Sequence, residues 1–229
     1  MYHCSVMMIL LSLGFLEKVP EEYLCTYDGY PGKEFKCNPD DFCKDPTVLS
    51  YHPNMELHDS YINWISHYNL ECIDGAHIGM IGSCFFVGWI ITLMFLPRMS
   101  DTSGRNKFIK IANVIQTLAY ALLFMSKNYN VLIVSMTIMG MMSTVRGQIG
   151  TIWLYESLQK DAFVTTYTLL LSFEGIVGLG VTLYFMYLSK NYISLLALGF
   201  CMQIIGTLIS FTYPESPRWL IKSGQINRA

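Results

Sequence analysis

Residues 76–96 read AHIGMIGSCFFVGWIITLMFL, and residues 97–107 continue as PRMSDTSGRNK. The first stretch carries no Asp, Glu, Lys or Arg. A helix rises about 1.5 Å per residue, so about 20 apolar residues cross the roughly 30 Å of hydrocarbon in a bilayer. The second stretch is a charged turn closed by Gly104. Apolar segments of similar length follow at 108–125, 131–154, 162–188 and 192–213, each bounded by polar or turn residues. Ser126-Lys127-Asn128, then Glu156 to Asp161, then Ser189-Lys190-Asn191 separate them, so the connections predict antiparallel neighbours. Buried helices of a soluble bundle would each keep a polar face, and these segments keep none.

Composition agrees. Hydrophobic residues make up 52% of the 229 and charged residues only 14%, against about 25% charged in soluble domains. Positions 18–75 hold a polar, acidic block with four Lys against eleven Asp and Glu, and a long apolar block follows it. This distribution excludes a disordered chain and a small disulfide scaffold. A formal net charge of −2 gives no basic surface for a nucleic acid, so none is expected as a partner.

Lys and Arg in short loops set orientation. Arg98, Arg105, Lys107, Lys110, Lys160, Arg218, Lys222 and Arg228 fall at one end of the spans, whereas the opposite short loops carry only Lys127 and Lys190. The first end is therefore expected to be cytoplasmic, or matrix-like, with the acidic block 18–75 on the outer side. At the N-terminus, Val6 to Leu16 is an unbroken apolar run. It reads as a short first transmembrane helix over 1–17. A cleaved signal peptide is the alternative, although no basic segment precedes the run. The expected organisation is that helix, an extracytoplasmic loop over 18–75, five transmembrane helices over 76–213 and a cytoplasmic tail over 214–229.

Cys25, Cys37, Cys43 and Cys72 lie in the outer loop, while Cys4, Cys84 and Cys201 lie in apolar segments. Four cysteines on an oxidising side suggest two disulfides, for which three connectivities are open. Free thiols in a reducing compartment are the alternative. The spacing fits no zinc pattern, and no metal or other cofactor is expected. Frequent Tyr and Pro, with Trp64, point to a small compact cap rather than a coil. The chain contains no Asn-x-Ser/Thr sequon.

Two motifs carry most of the information. The first is the turn Asp101-Thr102-Ser103-Gly104-Arg105-Asn106-Lys107. Gly104 lets the chain reverse. Asp101 is placed to accept from a helix N-terminus, and Arg105 to pair with Asp101 or with an acid on a neighbouring helix. The second is Pro214-Glu215-Ser216-Pro217-Arg218-Trp219-Leu220, just past the last span. Pro214 ends the membrane helix, and Ser216 followed by Pro217 predicts an N-cap and first position of a surface helix. Glu215 and Arg218 then stand ready for ion pairs, and Trp219 suits the membrane interface.

With both motifs in place, the sequence resembles the major facilitator superfamily, most closely its organic cation/anion transporter branch, with sugar porters next. A long cysteine-bearing loop after the first helix, Tyr68-Asn69-Leu70-Glu71-Cys72 before the second span, and Tyr155-Glu156 at the end of the fourth are similar to that branch. The tail from Ile221 through Ala229 continues the likeness. The resemblance implies an all-α polytopic membrane helix bundle. It implies that this chain supplies the six-helix N-terminal half of a twelve-helix transporter whose halves rock for alternating access. It implies that the Asp101, Gly104, Arg105 and Lys107 turn, Glu156 and a Glu215–Arg218 pair form cytoplasmic gate contacts. It implies three partners: the lipid bilayer, a small organic solute, and a second six-helix half or another membrane protein. The plasma membrane is the expected location, with an organelle membrane as the alternative. The chain departs from the family where Lys160 is followed by Asp161 instead of further basic residues, and Arg146 stands nearer the cytoplasmic end than the fourth-helix Arg of the family.

Arg146 and Glu174 are the acid and base well inside the spans. Counted from the turn near Gln159 they lie at depths of roughly 18 and 22 Å, which lets them face each other across adjacent helices. A structural ion pair, a cavity site for a charged solute and an exposed seam for a partner are the three readings. Arg146, Glu174 and Trp153 are therefore the candidate substrate or coupling residues. Trp89, Tyr120, Phe173 and Tyr184 are further aromatics that a cation could contact. Small residues mark helix faces at Gly75, Gly79, Gly82 and Ser83, at Gly140, Ser143, Thr144, Gly147 and Thr151, and at Gly175, Gly178 and Thr182. Close helix packing is their main reading, with a sliding surface for rocking on top of it. No nucleotide loop, Ser-His-Asp order or metal cluster points to an enzyme. The expected function is transport of a small organic ion or sugar, and a transporter-derived structural subunit without transport activity is the alternative.

Overall fold

The computed structural model describes residues 2–28, 33–57 and 60–224, with side chains from Ser5 onward. Cys4, His58, Arg228 and the tail from Gln225 thus lie outside the described side chains. Helix α1 (Tyr2–Leu16) opens the chain. Strands β1 (Tyr23–Tyr27), β2 (Phe35–Cys37) and β3 (Val48–Pro53) and short helices α2 (Pro39–Phe42) and α3 (Trp64–His67) build the acidic loop. Then come α4 (Gly75–Leu93), α5 (Leu96–Ser103), α6 (Arg105–Met125) and α7 (Tyr129–Thr144). Helix α7 runs through one π turn (Val145–Ile149) into α8 (Gly150–Ser157). Helix α9 (Lys160–Leu183) extends through a second π turn (Tyr184–Leu188), and α10 (Tyr192–Ser210) and α11 (Pro217–Lys222) finish the chain. Among the described residues, four helices are long and apolar enough to cross a membrane: Gly75–Leu93, Arg105–Met125, Lys160–Leu188 and Tyr192–Ser210.

The two Ser-Lys-Asn-Tyr separators fold alike. Asn128 and Asn191 cap α7 and α10, their side chains accepting from the N–H groups of Asn130 and Ile193 at 2.9 Å each. Ser126 and Ser189 accept in turn from the N–H groups of Asn128 and Asn191. Each cap satisfies backbone donors that a helix N-terminus leaves open.

The helices pack in the order α4, α7, α6, α10, α1, α9. Short connections made α6 and α7 neighbours, as expected. They did not make α9 and α10 chief partners, because α1 packs against both. Glycines explain the choice. A Cβ at Gly88 would strike the Thr137 carbonyl, and one at Gly140 would strike the Phe85 carbonyl, so α4 and α7 touch backbone to backbone. Their Thr92 and Thr144 hydroxyls bond across the seam at 2.6 Å. Gly199 lies under the Tyr120 hydroxyl between α10 and α6, and Gly178 under Leu11 between α9 and α1. By contrast Gly75, Gly79, Gly147 and Gly175, expected on packing faces, have open space where a Cβ would stand. Gly88 and Gly199 carry close contacts in their place.

The acidic loop is a compact cap, with a feature composition did not reveal: a three-stranded antiparallel sheet of order β2-β1-β3. Cys25 pairs with Cys37 and Cys43 with Cys72, which selects one of the three connectivities. The first bridge staples β1 to β2, and the second ties α2 to the segment leading into α4. The cap is fastened to three helix ends. Asn63 donates to the carbonyls of Phe15 and Lys18 at 2.9 and 2.6 Å. Tyr68 donates to the Leu123 carbonyl at 3.2 Å. Lys190 donates to the carbonyls of Met55 and Leu57 at 2.8 and 2.5 Å.

Candidate functional site: the Arg105 network and the Arg146 cavity

The charged turn and the proline-rich run meet at the bundle end opposite the cap. Helix α5 starts with Pro97 in its first turn and ends at Gly104, whose φ of 96° and ψ of 136° suit glycine alone among common residues. A Cβ there would stand 2.9 Å from Glu215 Oε2. Glycine thus serves twice, by reversing the chain and by admitting the carboxylate. Glu215 Oε1 accepts from the N–H groups of Arg105 and Asn106 at 3.0 Å each and of Ser216 at 3.2 Å. The carboxylate therefore caps the start of α6 from 110 residues away in sequence. Two expectations are corrected by this. Asp101 does not cap a helix, and Glu215 does not pair with Arg218, because the open amides of α6 present a closer set of donors.

Arg105 is the centre of the network. Its Nη2 donates to Asp101 Oδ1 at 2.9 Å and its Nη1 lies 2.8 Å from Glu156 Oε2. Glu156 in turn accepts from the Ser216 hydroxyl at 2.6 Å. Ser216 caps α11, as its position before Pro217 predicts. Trp219 donates its indole N–H to the Asp101 carbonyl at 3.0 Å, and Arg218 sits 5.2 Å over the Tyr155 ring. Four elements thus join: α5, α6, α8 and α11. Lys107 is exposed and stands apart from them. Asn106 and Lys110 add bonds to the Tyr213 carbonyl at 2.6 and 3.3 Å.

Deeper in the bundle lies a cavity of about 250 Å³ lined by Arg146, Thr151, Trp153, Tyr167 and Tyr213, among others. Arg146 projects from the π turn, is 5% exposed, and donates to the Ser143 hydroxyl at 3.2 Å. Glu174 is half-buried on α9, the helix that contributes Tyr167 to the cavity, and is not among the lining residues. Trp153 stacks on Tyr213 with ring centres 5.2 Å apart and donates to the Pro214 carbonyl at 3.2 Å. One indole therefore forms a cavity wall and holds the proline-rich run. The other candidate aromatics point elsewhere. Tyr120 is fully buried in the helix core, Tyr184 donates to the Asn191 carbonyl, Trp89 packs beside Phe85 and Phe86, and Phe173 is half exposed. Among the described residues, no cluster of three or more His, Cys, Asp or Glu side chains is arranged to hold a metal.

A family model described as "Sugar (and other) transporter" matches residues 46–229. The chain belongs to that family. The match runs through the Arg105 network and the cavity, and it takes in Cys72 but not Cys43. Among curated relatives, the human "Organic cation/carnitine transporter 2" is 27% identical over 172 residues, covering 75% of this chain and 31% of its own length. The "Solute carrier family 22 member 15-like" protein of Xenopus laevis is 24% identical, covering 73% of this chain and 35% of itself. The "Arabinose-proton symporter" of Bacillus subtilis is 24% identical over 66% of this chain and 35% of itself. The chain thus spans about a third of the length of these transporters. As a family member it is a membrane protein of the transporter class and not an enzyme. Sequence reading missed Tyr167 and Tyr213 in the cavity and Asn106 and Lys110 beside the network. For Tyr213, Asn106 and Lys110 the reason is that their contacts join segments distant in the chain.

Proposed function

We propose that this chain forms the N-terminal six-helix half of a transporter for small organic ions or sugars that works by alternating access. In this reading the Arg105 network is a latch at the cytoplasmic end that holds the outward-open state. The supporting observation is the convergence of Asp101, Arg105, Glu156, Glu215 and Ser216 from four elements at one end of the bundle. Such a cluster of ion pairs and caps stabilises one arrangement of the helix ends and must be broken for another. The Arg146–Trp153 cavity sits directly behind the latch, and through Trp153 a bound solute can reach the proline-rich run. Relatives named for organic cations, carnitine and arabinose supply the test solutes.

The test is uptake of labelled carnitine, tetraethylammonium and arabinose by membranes of cells expressing the chain, where any second half is available. Saturable uptake of one of them, reduced by Arg105→Gln and by Trp153→Ala, is the expected result. A chain that is stable in a larger membrane assembly, with no uptake of any solute, would replace this reading with that of a structural subunit.

A further inference from the structure

A pocket of about 160 Å³ lies under α11, lined by Asp101, Arg105, Glu156, Arg218, Trp219 and Lys222. Its two carboxylates are both spent on Arg105, at 2.9 and 2.8 Å. The other two cations are not balanced. Arg218 and Lys222 are exposed and four residues apart on α11, so they share a helix face. Among the described residues neither joins an ion pair. The contact of Arg218 with the Tyr155 ring cancels no charge. The surroundings add to the field. Within 97–110, 155–161 and 214–224 there are seven basic residues (Arg98, Arg105, Lys107, Lys110, Lys160, Arg218, Lys222) against four acids (Asp101, Glu156, Asp161, Glu215). The opposite end carries the acidic cap, so an anion is drawn to this pocket rather than to the far side.

We propose that this pocket binds a phosphate group between Arg218 and Lys222, and that the bound phosphate braces α11 over the Arg105 network. The chemistry fits. A guanidinium matches phosphate oxygens with a planar pair of donors, and an ammonium adds a point charge. The pocket has room for about five waters at roughly 30 Å³ each, enough for a tetrahedral oxyanion. Trp219 and Ile221, the latter 60% exposed, put apolar surface beside the cations, as suits a lipid headgroup at a membrane boundary. A soluble phosphate would use the same two side chains. The inference does not depend on transport.

The experiment compares the full chain in nanodiscs of phosphatidylcholine, in nanodiscs that also contain phosphatidic acid, and in phosphatidylcholine nanodiscs with added inorganic phosphate. The readouts are melting temperature and amide exchange in α11. Phosphatidic acid is expected to raise the melting temperature and to slow α11 exchange roughly tenfold or more. The double variant Arg218→Gln/Lys222→Gln abolishes this gain. Arg98→Gln/Lys160→Gln, which removes the same charge from the same end, retains it. The exchanged pair Arg218→Lys/Lys222→Arg also retains it, which guards against a folding defect. A gain with phosphatidic acid alone identifies a headgroup site, and an equal gain with inorganic phosphate identifies a soluble ligand. No gain in either arm, or equal loss in both double variants, would overturn the proposal.

Discussion

Gly104→Ala tests the Arg105 network at its tightest point. The native backbone holds φ 96° and ψ 136°, a region that an L side chain enters at about 1–3 kcal/mol. The new methyl would also stand 2.9 Å from Glu215 Oε2 and 3.4 Å from its Cδ. A side chain can turn away, but this one accepts three amide bonds, two of them at the start of α6. Losing a helix cap costs about 0.5–2 kcal/mol more. The sum is about 1.5–5 kcal/mol, or roughly 3–20 °C in melting temperature for a chain of this size. The two contributions separate in a double-mutant cycle. In a Glu215→Ala background the clash and the cap are already gone, so Gly104→Ala should cost only the backbone part. Thermal unfolding of the four proteins in one detergent measures all terms. Equal costs in both backgrounds would refute the carboxylate-clearance argument, and no cost in either would refute the backbone argument as well.

Further expectations follow from the same structure. Gly140→Ala, where the methyl would strike the Phe85 carbonyl, should destabilise the chain by more than about 3 kcal/mol, whereas Gly79→Ala faces open space and should be neutral or stabilising; thermal melts distinguish them. Arg105→Gln removes the charge that holds Asp101 and Glu156, at about 1.5–3 kcal/mol for charge-assisted bonds, and thiol labelling of a cysteine placed in the 97–107 turn should quicken roughly tenfold. Opening the Cys43–Cys72 bridge, which spans 29 residues, should cost about 3.5 kcal/mol by loop-closure entropy, against about 3 for the 12-residue Cys25–Cys37 bridge; amide exchange of the cap in each Cys→Ser variant reads this. Burial raises the Glu71 carboxyl above its ordinary 4.5, so the folded cap holds that proton more tightly than the unfolded chain does. Its stabilisation is present at low pH and is lost as pH rises from 4.5 through the raised value. Glu71→Gln should therefore stabilise the cap more at pH 8 than at pH 5, and equal effects at both would contradict this.

Features that rest on neighbouring residues were legible in the sequence. Apolar runs gave the helices, Ser216 before Pro217 gave the α11 cap, and Gly104 gave the reversal. Each follows from local chemistry: desolvation of a continuous apolar stretch, donors exposed at a helix start, freedom at positive φ. The pairing of Arg105 with Asp101 is four residues apart and belongs to the same class. The paired cysteines were also legible in number, although their connectivity was not, because spacing alone does not bring Cys43 to Cys72.

What stayed hidden lies between distant segments. The family resemblance implied a Glu215–Arg218 pair. The structure sends Glu215 to amides 110 and 109 residues earlier. A carboxylate gains more there, since open helix donors cannot otherwise be satisfied and the helix dipole adds its own attraction. The same logic exposes a signal that was readable. The N-cap position of α6 is Gly104, which has no side chain to accept from the first amides, so they require an acceptor from elsewhere. The proline-rich run, with its free acid next to a turn, is the chain's answer to that requirement. The two motifs are therefore one structural unit divided between two loops, and a change that removes either half leaves the other with unsatisfied groups rather than with half of the stabilisation.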